Sequence, residues 1–278
     1  MISVITPVYN GEQFVESCIK VVIDQACASV EHIIVDGDSI DRTVDIIKRY
    51  AEQYPHIRWV SEKDDGQSDA MNKGIAMALG EIIGILNVDD FYELNVLNRV
   101  SEIFKQLPEP SFLVGNCNVW GDEGEILRVN KPNKLKLIDL LALNSDFPVN
   151  PSAYFYHKSL HEKIGLYAVD EDYAMDIDFI LKAIQEATVK YIDELWGNYR
   201  FIKGTKTIIS IETGQQMPHL KRILKKYRKN LPLFQRWQAA IGVTVLFRIK
   251  YFSSNPQNLL PVLKVKLRKI LGLAASEG

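Results

Sequence analysis

Gly84–Ile85–Leu86–Asn87–Val88–Asp89–Asp90–Phe91 is a short apolar run that stops at two adjacent carboxylates. A brief apolar run bounded by polar residues reads as a buried strand. Neighbouring like charges oppose their own ionisation, so Asp89 and Asp90 favour a partner cation. Carboxylate oxygens are hard ligands suited to Mg2+ or Mn2+. In open parallel sheets, ligands bind beyond the carboxyl ends of the strands. The stretch therefore predicts a metal at the C-terminal edge of a sheet. The competing reading is an ordinary strand-to-loop exit.

The same order, strand and then polar cluster, precedes it three times. Residues 2–6 form a β-prone run that leads into Thr6–Pro7–Val8–Tyr9–Asn10–Gly11. Residues 31–35 lead into Asp36–Gly37–Asp38–Ser39–Ile40–Asp41–Arg42–Thr43, and 58–60 into Glu62–Lys63–Asp64–Asp65–Gly66–Gln67–Ser68–Asp69. Segments with helical spacing separate them, at residues 12–28, 43–51 and 66–79. Strand–helix alternation predicts an α/β domain with a mainly parallel central sheet flanked by helices. Parallel strands bring the four clusters to one edge, where the other reading is solvent-facing turns and helix caps. Downstream, 94–107 reads as helix, 111–120 as strand, 134–143 and 160–165 as helical or turn-like, and 189–211 as short β-prone pieces.

No Gly-rich phosphate loop followed by Lys-Ser/Thr is present, and the first loop lacks closely spaced glycines. This argues against a P-loop ATPase or a Rossmann oxidoreductase. It leaves room for a nucleotide held by acids, an aromatic ring and a metal. Asp36 is a candidate acceptor for a base edge, Tyr9 for contact with base or ribose, and Asp90, aided by Asp89, for a diphosphate reached through a divalent cation. Later, Asp170–Glu171–Asp172–Tyr173–Ala174–Met175–Asp176–Ile177–Asp178–Phe179 places two acids at a helix start. With the helix beginning near Asp178, Asp176 sits in the preceding loop as a candidate general base. N-terminal capping is the alternative, with Asp178 the better cap.

These motifs, with Asp69–Ala70–Met71–Asn72–Lys73–Gly74 and Gly80–Glu81–Ile82–Ile83–Gly84, resemble family 2 glycosyltransferases of the GT-A fold over roughly residues 2–210. The resemblance implies inverting sugar transfer from a nucleotide sugar, of the bacterial cell-surface polysaccharide type. Asp90 would be the main ligand of Mg2+ or Mn2+, and Asp89 would orient donor sugar or metal-bound water. Asp176 would be the general base. Pro7, Tyr9, Asp36, Asp69, Lys73 and Arg200 would line the donor. Lys73 and Arg42 read equally as surface cations. Arg200 and Lys203 lie in a stretch similar to a late loop that closes over donor; a basic surface hairpin is the alternative. Many relatives carry Ser where this chain has Val88, Glu where it has Met175, and some carry His where it has Asn150. Asn150 would contact the acceptor or only shape its turn.

The chain has 278 residues and a formal net charge of −2, unevenly spread. Residues 1–218 carry 20 Lys/Arg and 34 Asp/Glu; residues 219–278 carry 13 Lys/Arg and one acid, Glu277. We read 1–218 as the GT-A domain, with the donor part about 1–118 and the acceptor part about 119–218, and 219–278 as a basic amphipathic helical extension, helical at 219–231, 233–252 and 259–272. Interleaved apolar and basic residues at 243–252 and 259–271 fit an anionic membrane surface, or else helices packed on the acidic body. No recognisable nucleic-acid motif accompanies the basic residues, so nucleic acid is not expected. Three scattered cysteines, no signal-like start and no spanning-length apolar stretch predict a cytoplasmic chain, at most peripheral on the inner face of the membrane. The expected partners are a nucleotide-sugar donor, UDP-linked by default, and a glycan or lipid-linked saccharide acceptor. Non-catalytic nucleotide-sugar binding and metal-dependent nucleotidyl transfer are the competing functions.

Overall fold

The computed structural model describes residues 1–171, 173–237 and 239. The expected alternation opens the chain as β1 (Ile2–Val8), α1 (Val15–Ile23), β2 (Val30–Asp36), α2 (Thr43–Gln53), β3 (Ile57–Ser61), α3 (Gln67–Met77) and β4 (Ile82–Ile85). β1 pairs in parallel with β2 and β4, and β2 with β3. A mixed half follows: β5 (Phe91–Tyr92), α4 (Val96–Phe104), β6 (Ser111–Trp120), β7 (Ile126–Asn130), α5 (Leu137–Leu141), β8 (Tyr154–His157), α6 (Leu160–Ile164), α7 (Met175–Glu186), β9 (Thr188–Arg200), α8 (Lys206–Glu212) and α9 (Gln216–Lys229). β8 runs antiparallel to both β4 and β6, and joins the halves. β9 is parallel to β6 and antiparallel to β5. The sheet order is β3-β2-β1-β4-β8-β6-β9-β5, with β7 beside β6.

Every residue of β1 is buried. A strand covered on both faces needs apolar side chains in both alternating sets. Ile5 shares one core with Ile33, Val35, Ile83 and Ile85 of its neighbours, Met71 and Ile75 of α3, and Phe179 and Ile180 of α7. Ile2 and Val4 belong to a second core with Cys18 and Val22 of α1 and Leu97 and Val100 of α4. A third packs Val15, Ile19, Ile47 and Tyr50 of α1 and α2 against Val8 and Ile34. Each fully buried side chain of this kind contributes about 1.5–3 kcal/mol over an exposed one. Two glycines set the position of α3. Gly66, at φ 104°, turns the chain into the helix, and a Cβ on Gly74 would overlap Ile5. Pro7 is tolerated in a central strand because the β4 ladder ends at Ile5–Ile85, leaving Pro7 with β2 alone.

Two expectations change. Residues 189–211 form no set of short β pieces: β9 is one strand of 13 residues, and α8 follows it. β9 is exposed at Thr188 and buried at Trp196–Asn198, and its pairing with β6 shifts register near Asn116, so no single alternation runs through it. α7 starts at Met175, so Asp176 lies in the first helical turn and not in the loop before it. The helices expected at 233–252 and 259–272 lie outside the described residues apart from 233–237 and 239, which are helical. Among the described residues, no helix is long and apolar enough to cross a membrane.

His32 of β2 makes the core sensitive to acid. It is fully buried, its Nε2 lies 2.9 Å from the Thr6 hydroxyl, and its Nδ1 has no partner. Burial, with His56 nearby, pushes its pKa down to about 3. The unfolded chain therefore takes up this proton first, and stability is lost as pH falls below the ordinary value of 6.5. By about pH 4.5 the loss from this group amounts to roughly 2–3 kcal/mol. Urea unfolding should show the acid-induced loss in the parent protein exceeding that in His32→Gln by about this amount; equal losses would contradict the assignment.

Candidate active site

The polar clusters at the strand ends interlock. The Asn10 backbone N–H donates to Ser39 Oγ (2.7 Å), and the Ile40 N–H to Asn10 Oδ1 (3.0 Å). The Gly11 N–H reaches Thr43 Oγ1 and the Glu12 N–H reaches Asp41 Oδ2, closing loop one onto loop two. Asp36, fully buried at the end of β2, accepts from Ser39 and from the Ser61 hydroxyl of β3 (2.7 Å). The Gln67 side chain donates to Asn87 Oδ1 (2.9 Å), joining loop three to loop four. Asn10 and Asp38 sit at positive φ, a left-handed conformation that few residues other than glycine tolerate as well.

Asp90 is the centre of the fourth loop. It is 3% exposed. Its Oδ2 accepts from the side-chain amides of Asn150 (2.7 Å) and Asn87 (2.9 Å), and its Oδ1 accepts from the Arg200 backbone N–H (3.1 Å). Burial, and then the Asp89 charge, raise its pKa well above the usual carboxylate range, against the pull of these three donors. Asp89 is also raised by burial, while the Arg200 guanidinium opposes the shift. That guanidinium stacks 4.8 Å over the Phe91 ring. A buried acid pair of this kind favours a cation. A carboxylate oxygen offers two acceptor sites, so Oδ1 of Asp90 retains one. One or two carboxylates with substrate phosphates form an ordinary Mg2+ donor set, and Asp89 and Asp90 fit it. Among the described residues, no three His, Cys, Asp or Glu side chains gather as a metal cage.

Asn87 and Asn150 line a cleft of about 340 Å3, together with Gln67, Arg128, Asp146 and Asp176. Burial pushes Asp176 up to about 6, and the Tyr154 hydroxyl beside it opposes that shift. The hydroxyl makes no hydrogen bond of ordinary geometry. Asp176 is not a helix cap: the cap position of α7 is Ala174, which has no side-chain cap bond. Nor does Asp178 cap. Its carboxylate pairs with Lys182 (2.8 Å), Lys226 (3.2 Å) and Tyr227 Oη (3.0 Å), and these partners hold its pKa below the ordinary value against burial. The Ser68 hydroxyl donates to Met175 Sδ (2.8 Å), tying α3 to the start of α7.

The remaining candidates are placed unevenly. Pro7 is buried in β1, and Tyr9 is exposed just beyond it. Asp69 and Lys73 pair on α3 (3.4 Å), and Lys73 also holds Glu62 (2.9 Å) and the Lys63 carbonyl, so its charge is spent along the third loop. Arg200 belongs to β9 and not to a loop; the irregular segment starts at Phe201. The Lys203 N–H is fixed to Asp122 Oδ1 (2.8 Å). Asn150 both accepts the Ser152 N–H of its own turn and grips Asp90. The second role, 60 residues away in sequence, has no local signal. Gln67 falls in the third strand-end cluster, whereas Arg128 and Asp146 have no signal in the sequence.

Comparison with known proteins identifies the fold and the family. The chain is 28% identical over 254 residues to "Uncharacterized glycosyltransferase EpsJ" of Bacillus subtilis, covering 86% of this chain and 71% of that protein. It is also 28% identical over 253 residues to a "PGL/p-HBAD biosynthesis glycosyltransferase" of Mycobacterium bovis, covering 89% and 95%. Among solved structures, S. aureus TarS 1-349 in complex with UDP-GlcNAc superposes with a TM-score of 0.68 at 18% identity, covering 91% of this chain and 72% of that one. The mannosyltransferase PcManGT from Pyrobaculum calidifontis, in complex with GDP-Man and Mn2+, gives 0.58 at 20% identity, covering 96% and 80%. The architecture is the GT-A fold. The sequence model described as Glycosyl transferase family 2 matches residues 3–165, and this chain is a glycosyltransferase belonging to that family.

Proposed function

We propose that this protein transfers a sugar, with inversion, from a nucleotide-sugar donor to a hydroxyl of a glycan or lipid-linked saccharide, in the making of a bacterial surface polymer. The observation that carries this reading is one cleft lined by Asp176 and by both amides that grip Asp90. It joins a phosphate-side anchor to a base. The UDP-GlcNAc and GDP-Man bound by the two structural neighbours support a nucleotide-sugar donor. A UDP-sugar is our default.

In this reading Tyr9, exposed at the end of β1, meets base or ribose, and Asp36, buried at the end of β2, acts on the base side by holding the Ser39 loop in place. Pro7 and Arg200 complete the donor side, while Lys73, paired with Asp69 and with Glu62, braces the third loop beside it. Asp90 holds a divalent cation, Mg2+ or Mn2+, with Asp89 beside it, and that ion would offset charge on the departing nucleoside diphosphate. Asp176 accepts the proton of the acceptor hydroxyl. Its burial makes it more basic than an ordinary aspartate yet leaves it largely ionised at neutral pH, which suits a general base. The acceptor oxygen attacks the anomeric carbon opposite the leaving group, and no covalent sugar–enzyme adduct forms. Residues 1–218 carry the reacting groups, and α9, which packs into the first core and holds Glu171 and Asp178, supports them.

Asp176→Asn should leave donor binding intact by calorimetry and lower the turnover rate by about 100- to 10,000-fold. Full transfer activity would refute the assignment of the base. Because the base works ionised, kcat/KM should fall about tenfold per unit below about pH 6; a flat profile down to about pH 4.5 would refute it as well. Asn150→Ala removes one donor from Asp90 and should weaken Mn2+-dependent donor binding about 10- to 100-fold. Unchanged affinity would separate Asn150 from the anchor.

A further inference from the structure

α9 has two unlike faces. The inward face buries Ile223, Leu224 and Tyr227 in the first core. It also meets the acids on either side of Asp176. His219 Nδ1 lies 2.8 Å from Glu171, and Arg222 pairs with the same carboxylate. Lys226 and Tyr227 reach Asp178. Glu171 and Asp178 are each 6% exposed, so both need these partners. Gln216, at the start of α9, lines the Asp176 cleft. The helix therefore stands at the wall of the acceptor side.

The outward face has no such partners. Lys221, Lys225 and Lys229 recur at a spacing of four, are exposed, and make no ion pair among the described residues. Like charges at this spacing repel, so the ridge is held at a cost that a facing anion would relieve. A groove of about 470 Å3 runs along it, walled by Lys221, Arg222, Lys225, Lys226, Lys229 and Pro218, with no acid. From Gln216 to Trp237 the chain has seven Lys/Arg and no Asp or Glu. The helical turn at 233–237 then exposes Leu233, Phe234 and Trp237 at 71%, 73% and 69%. Arg236 ties this turn back to α9 by donating to the Lys229 and Leu231 carbonyls.

Basic side chains beside exposed aliphatic and aromatic ones are the make-up of a helix that lies in a membrane interface. Tryptophan in particular prefers the headgroup level. A nucleic acid would account for the lysines but not for Leu233 and Phe234. We propose that α9 and the helical turn after it form a docking face for an anionic lipid surface, placed so that acceptors carried in that surface meet the Asp176 cleft. The acceptor clause rests on the transfer reaction proposed above; the docking face does not.

The test is co-sedimentation of the full chain with vesicles of phosphatidylcholine, with and without phosphatidylglycerol. The chain should bind only the anionic vesicles and release at high salt. Lys221→Glu with Lys225→Glu and Lys229→Glu should weaken binding about tenfold or more, with thermal unfolding unchanged. Phe234→Ser with Trp237→Ser should weaken it severalfold without altering its salt dependence. Failure of the full chain to bind, or equal binding by parent and both variants, would overturn the proposal. So would loss of RNA binding or of self-association, in place of vesicle binding, in the lysine variant. Vesicle binding that behaves as expected in a protein that transfers no sugar would uphold the docking face and fault the reaction instead.

Discussion

The constraint on which the rest of the structure turns is the buried carboxylate of Asp90. A charge at 3% exposure is costly unless several donors satisfy it. Its three donors come from three distant stretches: Asn87 in its own loop, Asn150 at the turn before β8, and the Arg200 backbone at the end of β9. The first belongs to the parallel half of the sheet and the other two to the mixed half. The two halves must therefore meet in one register at Asp90, and β8, paired with both β4 and β6, supplies that junction. Gln67 extends the network through Asn87 to α3. In turn, the third strand-end loop is tied to the site.

Two aspartates near one cleft, Asp90 buried and Asp176 half-buried, have different electrostatic surroundings. Asp90 sits at a strand end among three hydrogen-bond donors with a second carboxylate beside it, an arrangement that favours the charged form once a cation arrives. Asp176 stands in the first turn of α7, with burial as its main perturbation and one nearby hydroxyl opposing it. That contrast between titratable groups is the basis on which binding is proposed for Asp90 and proton transfer for Asp176. Asp178, two residues on, is held in the ordinary ionised state by Lys182, Lys226 and Tyr227, and so is left with a structural task.

The parallel half was legible in the sequence because its signals are local. Each strand is a short apolar run, each helix has its own stripe, and the polar clusters follow directly. Asp36, Asp89 and Asp90 stand at or just beyond the ends of those strands, where the sequence places them. What escaped is what depends on contacts across the fold. β8 is four residues that mean nothing until β4 and β6 lie on either side. β9 hides its length because its exposure changes along it and its pairing shifts near Asn116. Asn150 reads in sequence as an acceptor contact or a turn-shaping residue; its grip on Asp90 spans 60 residues. Lys73 reads in sequence as a donor-side residue or a structural cation, and its partners Glu62 and Asp69, one of them outside its helix, come into view only in the fold.

The central claim is that Asp90 anchors a divalent cation for a nucleoside diphosphate. Electron paramagnetic resonance of Mn2+ in the presence of UDP measures this without turnover. The unaltered protein should immobilise the ion only when the nucleotide is present, and Asp90→Asn, which keeps the shape but removes the charge, should leave the free-ion spectrum. Equal immobilisation by the two proteins, or none by the unaltered protein across UDP, GDP and dTDP, would contradict the account.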